Sequence, residues 1–196
     1  SIGGDFEVNA KLFCFEYLAS FEGLENLETI GGNFKVIAES SFKGLNGLKS
    51  IGGDFEVNAN SSLESFEGLE SLETIGGNFK IIDNESSLNA LSSFKGLSSL
   101  KSIGGDFEVK ARVLESFEGL ENLTNIGDKL TIKGCSSLNN IDALKNIESL
   151  NDISITTCSK LYDFCVLKNV VQNMSGTFYV NDNGYNPTKY QLLNGE

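Results

Sequence analysis

The groups in this 196-residue chain with chemistry beyond packing are four cysteines and 27 acidic side chains, and there is no histidine. Cys14, Cys135, Cys158 and Cys165 show no metal-finger spacing, and without histidine a zinc centre is not expected. Cys135 and Cys158 open the similar phrases Cys-Ser-Ser-Leu and Cys-Ser-Lys-Leu, 23 residues apart. They read either as two small buried apolar residues or as a disulfide. Among the carboxylates, Asp5 stands two residues from Glu7, but glycosidic chemistry needs two carboxyl groups facing across a cleft. Asp5, Asp54 and Asp106 could suggest calcium. Their recurrence every second repeat would put them ~10 Å apart, too far for one ion to bridge at 2.3–2.6 Å. They are expected on solvated surface. No nucleophile elbow or phosphate loop sits in a strand–helix context. The expectation is therefore no catalytic residue, no cofactor and no metal.

The elements that carry these groups repeat. Aligned on Ile2, Ile30, Ile51, Ile75, Ile103 and Ile126, the chain restates Ile-Gly-Gly-Asp/Asn-Phe-x-Val/Ile at intervals of 28, 21, 24, 28 and 23 residues; in the last copy Gly-Asp replaces Gly-Gly and Leu130 the Phe. A period of this size means a solenoid, one coil per copy. Phe6-Glu7-Val8 and its equivalents alternate apolar and charged, the signature of a half-buried strand, and like strands on successive coils must lie parallel. The glycine pair before each strand is expected where a Cβ would clash at a corner. Phe21, Leu24, Leu27 and Ile30 are spaced by three, which fits short helical or 3₁₀ turns with one face inward.

A two-coil period is laid over the first. The outward strand residues run Glu7, Lys35, Glu56, Lys80, Glu108, and the return residues run Glu22, Lys43, Glu67, Lys95, Glu118. On strands ~4.8 Å apart, each column alternates sign between neighbours, a structural device rather than a charged binding stripe.

The segment between strand and return varies. It spans 13 residues from Val8 to Phe21 but 6 from Val36 to Phe42. Insertions in a solenoid fall on one rim, often the recognition rim, and one-off features specify a partner better than repeated ones. Candidate partner contacts are Phe13, Phe15 and Tyr17 in the first insertion, Asp83, Asn84 and Glu85 in the fourth, and Arg112 in the fifth. The three rings read alternatively as cover for an end coil.

After Leu150 the pattern decays. Leu161–Val171 reads as an amphipathic helix, Phe178–Val180 as a strand, and Thr188 as the N-cap of a closing helix. The domain reading is a solenoid over 1–160 of about seven coils, truncated at its N-terminal side, with 161–196 as the capping segment of the same domain. The net charge of -12 repels nucleic acid, and no apolar run reaches membrane-span length. No direct membrane insertion is expected, and the chain reads as a monomer.

The Ile-x-Gly-x-Phe-x-Val strand with its Leu-x-x-Leu return, over residues 2–155, resembles the receptor L-domain-like branch of leucine-rich repeat proteins. The tail around Asp163-Phe164-Cys165 and Asn183–Thr188 resembles the cap of such proteins in Bacteroidetes-type bacteria. The resemblance implies an α/β solenoid, with a parallel sheet on one side, short helical or 3₁₀ turns on the return side and a C-terminal α+β cap. It also implies an extracellular or cell-surface location. The expected function is non-enzymatic recognition of a protein or glycan through the sheet face and variable rim. The alternatives are a structural spacer or stalk, or a consensus-designed repeat scaffold.

Overall fold

The computed structural model describes residues 1–9, 20–38, 41–59, 63–83 and 91–195. Its backbone is an eight-stranded, wholly parallel sheet in chain order. The strands are Phe6–Asn9, Phe34–Ala38, Phe55–Ala59, Phe79–Asp83, Phe107–Lys110, Lys129–Lys133, Asp152–Thr156 and Phe178–Asn181. Phe6, Phe34, Phe55, Phe79, Phe107 and Leu130 share one register, as do Glu7, Lys35, Glu56, Lys80 and Glu108. A second parallel ribbon of two-residue strands, from Thr29–Ile30 to Asn125–Ile126, runs through the Ile-Gly-Gly corners. The molecule is a parallel-sheet solenoid of stacked coils.

Two columns of phenylalanine fill the coils. Phe34, Phe55, Phe79 and Phe107 stack nearly parallel at 5.0–5.1 Å on the strand side. Each also meets return-side rings, such as Phe66 and Phe94, edge to face. These rings are fully buried. The arrangement follows from identical residues in register at the strand spacing, and offset and T-shaped pairs are the orientations the ring quadrupole prefers.

The return side corrects the helical expectation. In five coils Phe-x-Gly-Leu closes with a bond from the Leu N–H to the Phe carbonyl, as from Leu69 to Phe66 at 3.1 Å. The glycine stands at φ +96 to +106. An i→i+3 bond with positive φ at the third residue is a type II turn, not a helical one. The next coil has Ile141-Asp142-Ala143-Leu144. Alanine does not tolerate that φ, and there the chain winds into the 3₁₀ helix Asp142–Asn146. Val166 occupies the same place one coil later, within the 3₁₀ helix Cys165–Leu167. Spacing of three is common to both turn types, and the glycine decides between them. The fold is thus mostly β rather than α/β. Among the described residues, helix is confined to these two 3₁₀ turns, α1 (Lys168–Asn173) and α2 (Lys189–Asn194).

The C-terminal segment departs from the expectation in its helix and keeps the expected strand. The amphipathic stretch 161–171 is not one helix: residues 161–164 form none, and α1 starts only at Lys168. The strand Phe178–Asn181 pairs in register with Asp152–Thr156 and so extends the solenoid sheet. Thr188 caps α2 as expected, through a capping box with Gln191.

Candidate binding surfaces

The outer face of the sheet is occupied with its own cohesion. Lys35 pairs with Glu56 at 3.8 Å and Lys80 with Glu108 at 3.5 Å. On the return side Lys43 pairs with Glu22 at 3.1 Å and Lys95 with Glu118 at 3.4 Å. A third alternating column lies two residues before each Ile. There Lys49 meets Glu28 and Lys101 meets Glu73, each at 2.7 Å. The lysines hold both glutamates below the ordinary carboxylate range, by hydrogen bond first and charge second. This column is legible as Glu28, Lys49, Glu73, Lys101, but Thr124 breaks it, and the strand and return columns drew the eye first.

The Asp/Asn column lies on solvated surface as expected, and it also carries a ladder between coils. Asn33 N–H donates to Asp5 Oδ1, Asp54 N–H to Asn33 Oδ1, Asn78 N–H to Asp54 Oδ1 and Asp106 N–H to Asn78 Oδ1, at 2.7–2.8 Å. Lys129 N–H continues the ladder to Asp106 at 3.1 Å. Each side chain supplies the next coil with an acceptor. Alternating carboxylate with amide keeps like charges two rungs apart, ~10 Å, and holds down their repulsion. The carboxylates singled out for calcium are thereby engaged with backbone.

The glycine pairs sit where coils approach most closely. A Cβ on Gly53 would run into Asn33 Oδ1, and one on Gly52 into the Gly31 carbonyl. Neither residue needs positive φ. The expected clash is real, but its source is the neighbouring coil.

Cys135 and Cys158 are buried thiols on adjacent coils, not a disulfide. Contact with Cys158 and burial push the Cys135 thiol up. The column continues as Asn183, whose Oδ1 accepts the Cys158 N–H at 3.0 Å and whose amide donates to the Ile155 carbonyl at 2.8 Å. Cys165 is exposed, and the neighbouring Asp163 raises its thiol pKa.

Of the candidate rim residues, Phe13, Phe15, Tyr17, Asn84 and Glu85 lie outside the described residues, and so does Cys14. Asp83 ends the strand Phe79–Asp83. Arg112 is exposed two residues beyond Phe107–Lys110, and its carbonyl accepts the Ser137 N–H at 3.0 Å. Ile82 pairs with Lys110 in the sheet, so the two segments leave adjacent rungs.

Of the five tyrosines, the sequence reading named only Tyr17 as a contact. Tyr162, Tyr179, Tyr185 and Tyr190 are 40–68% exposed, and all belong to the C-terminal end. Tyr179 closes the middle column of the sheet face, where Glu108 gives way to Thr131, Ser154 and then Tyr179. A hollow of about 320 Å³ beside it is lined by Lys129, Ser154 and Thr177. Tyr162 and Tyr185 line a separate cleft of about 380 Å³ with Pro187 and Leu192. The signal was in the composition: four of the five tyrosines follow residue 160, while the coils use phenylalanine. A phenol keeps a polar tip in water where phenylalanine would be driven inside.

No family model matches the chain, and no curated protein matches it.

Proposed function

We propose that the chain is a non-enzymatic recognition module that binds a protein or glycan ligand, with its C-terminal end as the contact surface. The exposure of four tyrosines at one end of the described solenoid, whose coils pair lysine with glutamate along their repeated columns, carries this reading. Along the coils, charges meet partners on neighbouring rungs and the Asp/Asn side chains serve backbone N–H groups. That surface repeats itself and offers a ligand the same chemistry in several registers. At the C-terminal end every feature occurs once, and exposed tyrosine supplies contact area at low entropic cost. Engagement of Asp5, Asp54 and Asp106 with backbone supports the non-enzymatic part. The finer assignment, a leucine-rich repeat of the receptor L-domain-like branch displayed at a cell surface or secreted, draws support from coil length and the Leu-x-x-Leu returns. A spacer is the second reading, favoured by the ion-pair columns, which stiffen coils without addressing a ligand.

The test is an equilibrium binding panel on the immobilised intact chain, using purified surface glycans and purified extracellular proteins. Saturable binding of at least one is expected, weakened when Tyr162, Tyr179 and Tyr190 are replaced by serine. A spacer binds none of the panel.

A further inference from the structure

We infer that the cleft at the C-terminal end is a subsite for a neutral oligosaccharide of hexopyranoses whose hydroxyls are all equatorial; this deepens, and rests on, the recognition reading above. The cleft lies between the last coil and α2, and its volume of about 380 Å³ falls in the range of small-ligand sites. Its walls are fixed. The turn 183–186 is tied to the coil by Gly184 N–H to the Cys158 carbonyl at 3.2 Å and Tyr185 N–H to the Leu161 carbonyl at 3.1 Å. Asn186 Oδ1 accepts from both the N–H and the side-chain amide of Asn183 at 3.0 Å. Tyr162 rests against Gly184 so closely that a Cβ there would lie 2.6–2.8 Å from three consecutive ring atoms. The ring is thus held along one side while 64% of the residue stays exposed. A ring so held is a platform that loses little freedom when a ligand stacks on it.

The polar groups select the ligand. Asp163 is the carboxylate among the lining residues, its Oδ1 accepts the Cys165 N–H at 2.8 Å, and no Lys or Arg lines the cleft. With a net charge of -12, the site disfavours phosphate, sulfate and acidic sugars. Gln191 gives its Oε1 to the Thr188 N–H and hydroxyl, which leaves the amide nitrogen as its remaining donor. The acceptor capacity left on the Asp163 carboxylate, an amide donor and an aromatic platform match a sugar ring. Equatorial hydroxyls meet the polar edge, and the axial C–H bonds meet the tyrosine face.

The experiment is calorimetric titration of the intact chain with cellotetraose and, separately, with tetra-N-acetylchitotetraose. Saturable binding of at least one is expected. Tyr162→Ala and Gly184→Ala should each weaken it about tenfold or more, with Tm nearly unchanged. Gly184→Ala keeps every polar group and displaces the ring alone, so it separates the platform from general damage. Binding that ignores both substitutions overturns the inference. So does binding of neither oligosaccharide by a chain that retains a purified protein in the panel above, and that outcome leaves the recognition reading standing. A chain that binds nothing overturns both.

Discussion

Gly68→Ala tests the logic of the coil. Gly68 is the third residue of the turn Phe66–Leu69 and stands at φ +106. An alanine at positive φ costs on the order of 1–2 kcal/mol. Its Cβ would also be driven into the Phe42 carbonyl on the preceding coil, backbone that has no flexible end to give. Overpacking of that kind costs ~1–3 kcal/mol. The sum centres on about 3.5 kcal/mol. For a chain of this size, at ~2–4 °C per kcal/mol, Tm should fall by ~7–14 °C. The escape is the 3₁₀ winding that Ala143 adopts, but it would break register with glycine turns on both neighbouring coils. Gly3→Ala is the control, because a Cβ there meets nothing within 4 Å. Thermal unfolding followed by far-ultraviolet circular dichroism reads both. If Gly68→Ala melts within ~2 °C of the parent, the turn assignment is wrong.

Phe79→Ala removes a ring stacked between Phe55 and Phe107 and should cost ~3–5 kcal/mol in urea unfolding. Lys80→Ala beside it should cost under ~1 kcal/mol, because its pair with Glu108 is about 40% exposed; equal losses would refute the inward–outward assignment. Asn78→Ala deprives the Asp106 N–H of its acceptor and should cost ~1 kcal/mol, and no measurable loss would refute the ladder. Glu28 and Glu73 have pKa values lowered from 4.5 by Lys49 and Lys101. A depressed carboxylate stabilises above its unfolded pKa and loses that contribution as pH falls through the folded value. Tm should therefore decline below about pH 4.5, and less steeply in the Lys49→Met, Lys101→Met double variant. An identical decline would exclude these pairs as a cause.

Strand register was legible because Phe-x-Val alternation and the Glu/Lys exchange both repeat at the coil period. The return turns were harder. Phe21 and Leu24 bond i→i+3 whether the turn is 3₁₀ or type II, and only Gly23 carried the distinction. The Asp/Asn column was legible as solvated but not as a ladder, because one coil shows only a short polar side chain before a strand. Its role exists only between coils. The tyrosine end escaped notice for a related reason: Tyr162 and Gly184 are 22 residues apart and meet only once the last coil closes. Insertions drew attention by length, whereas the described surface singles itself out by a change of aromatic type.

The exchange of glutamate and lysine between neighbouring coils imposes a parity on the molecule. Removing one coil from inside the alternating run, or inserting one there, would set glutamate beside glutamate or lysine beside lysine in the strand and return columns, and carboxylate beside carboxylate or amide beside amide in the Asp/Asn ladder. Removing or adding two restores every junction. The unit that can be copied or lost without electrostatic conflict is therefore the pair. Duplications or losses inside the alternating run should come in even numbers of coils.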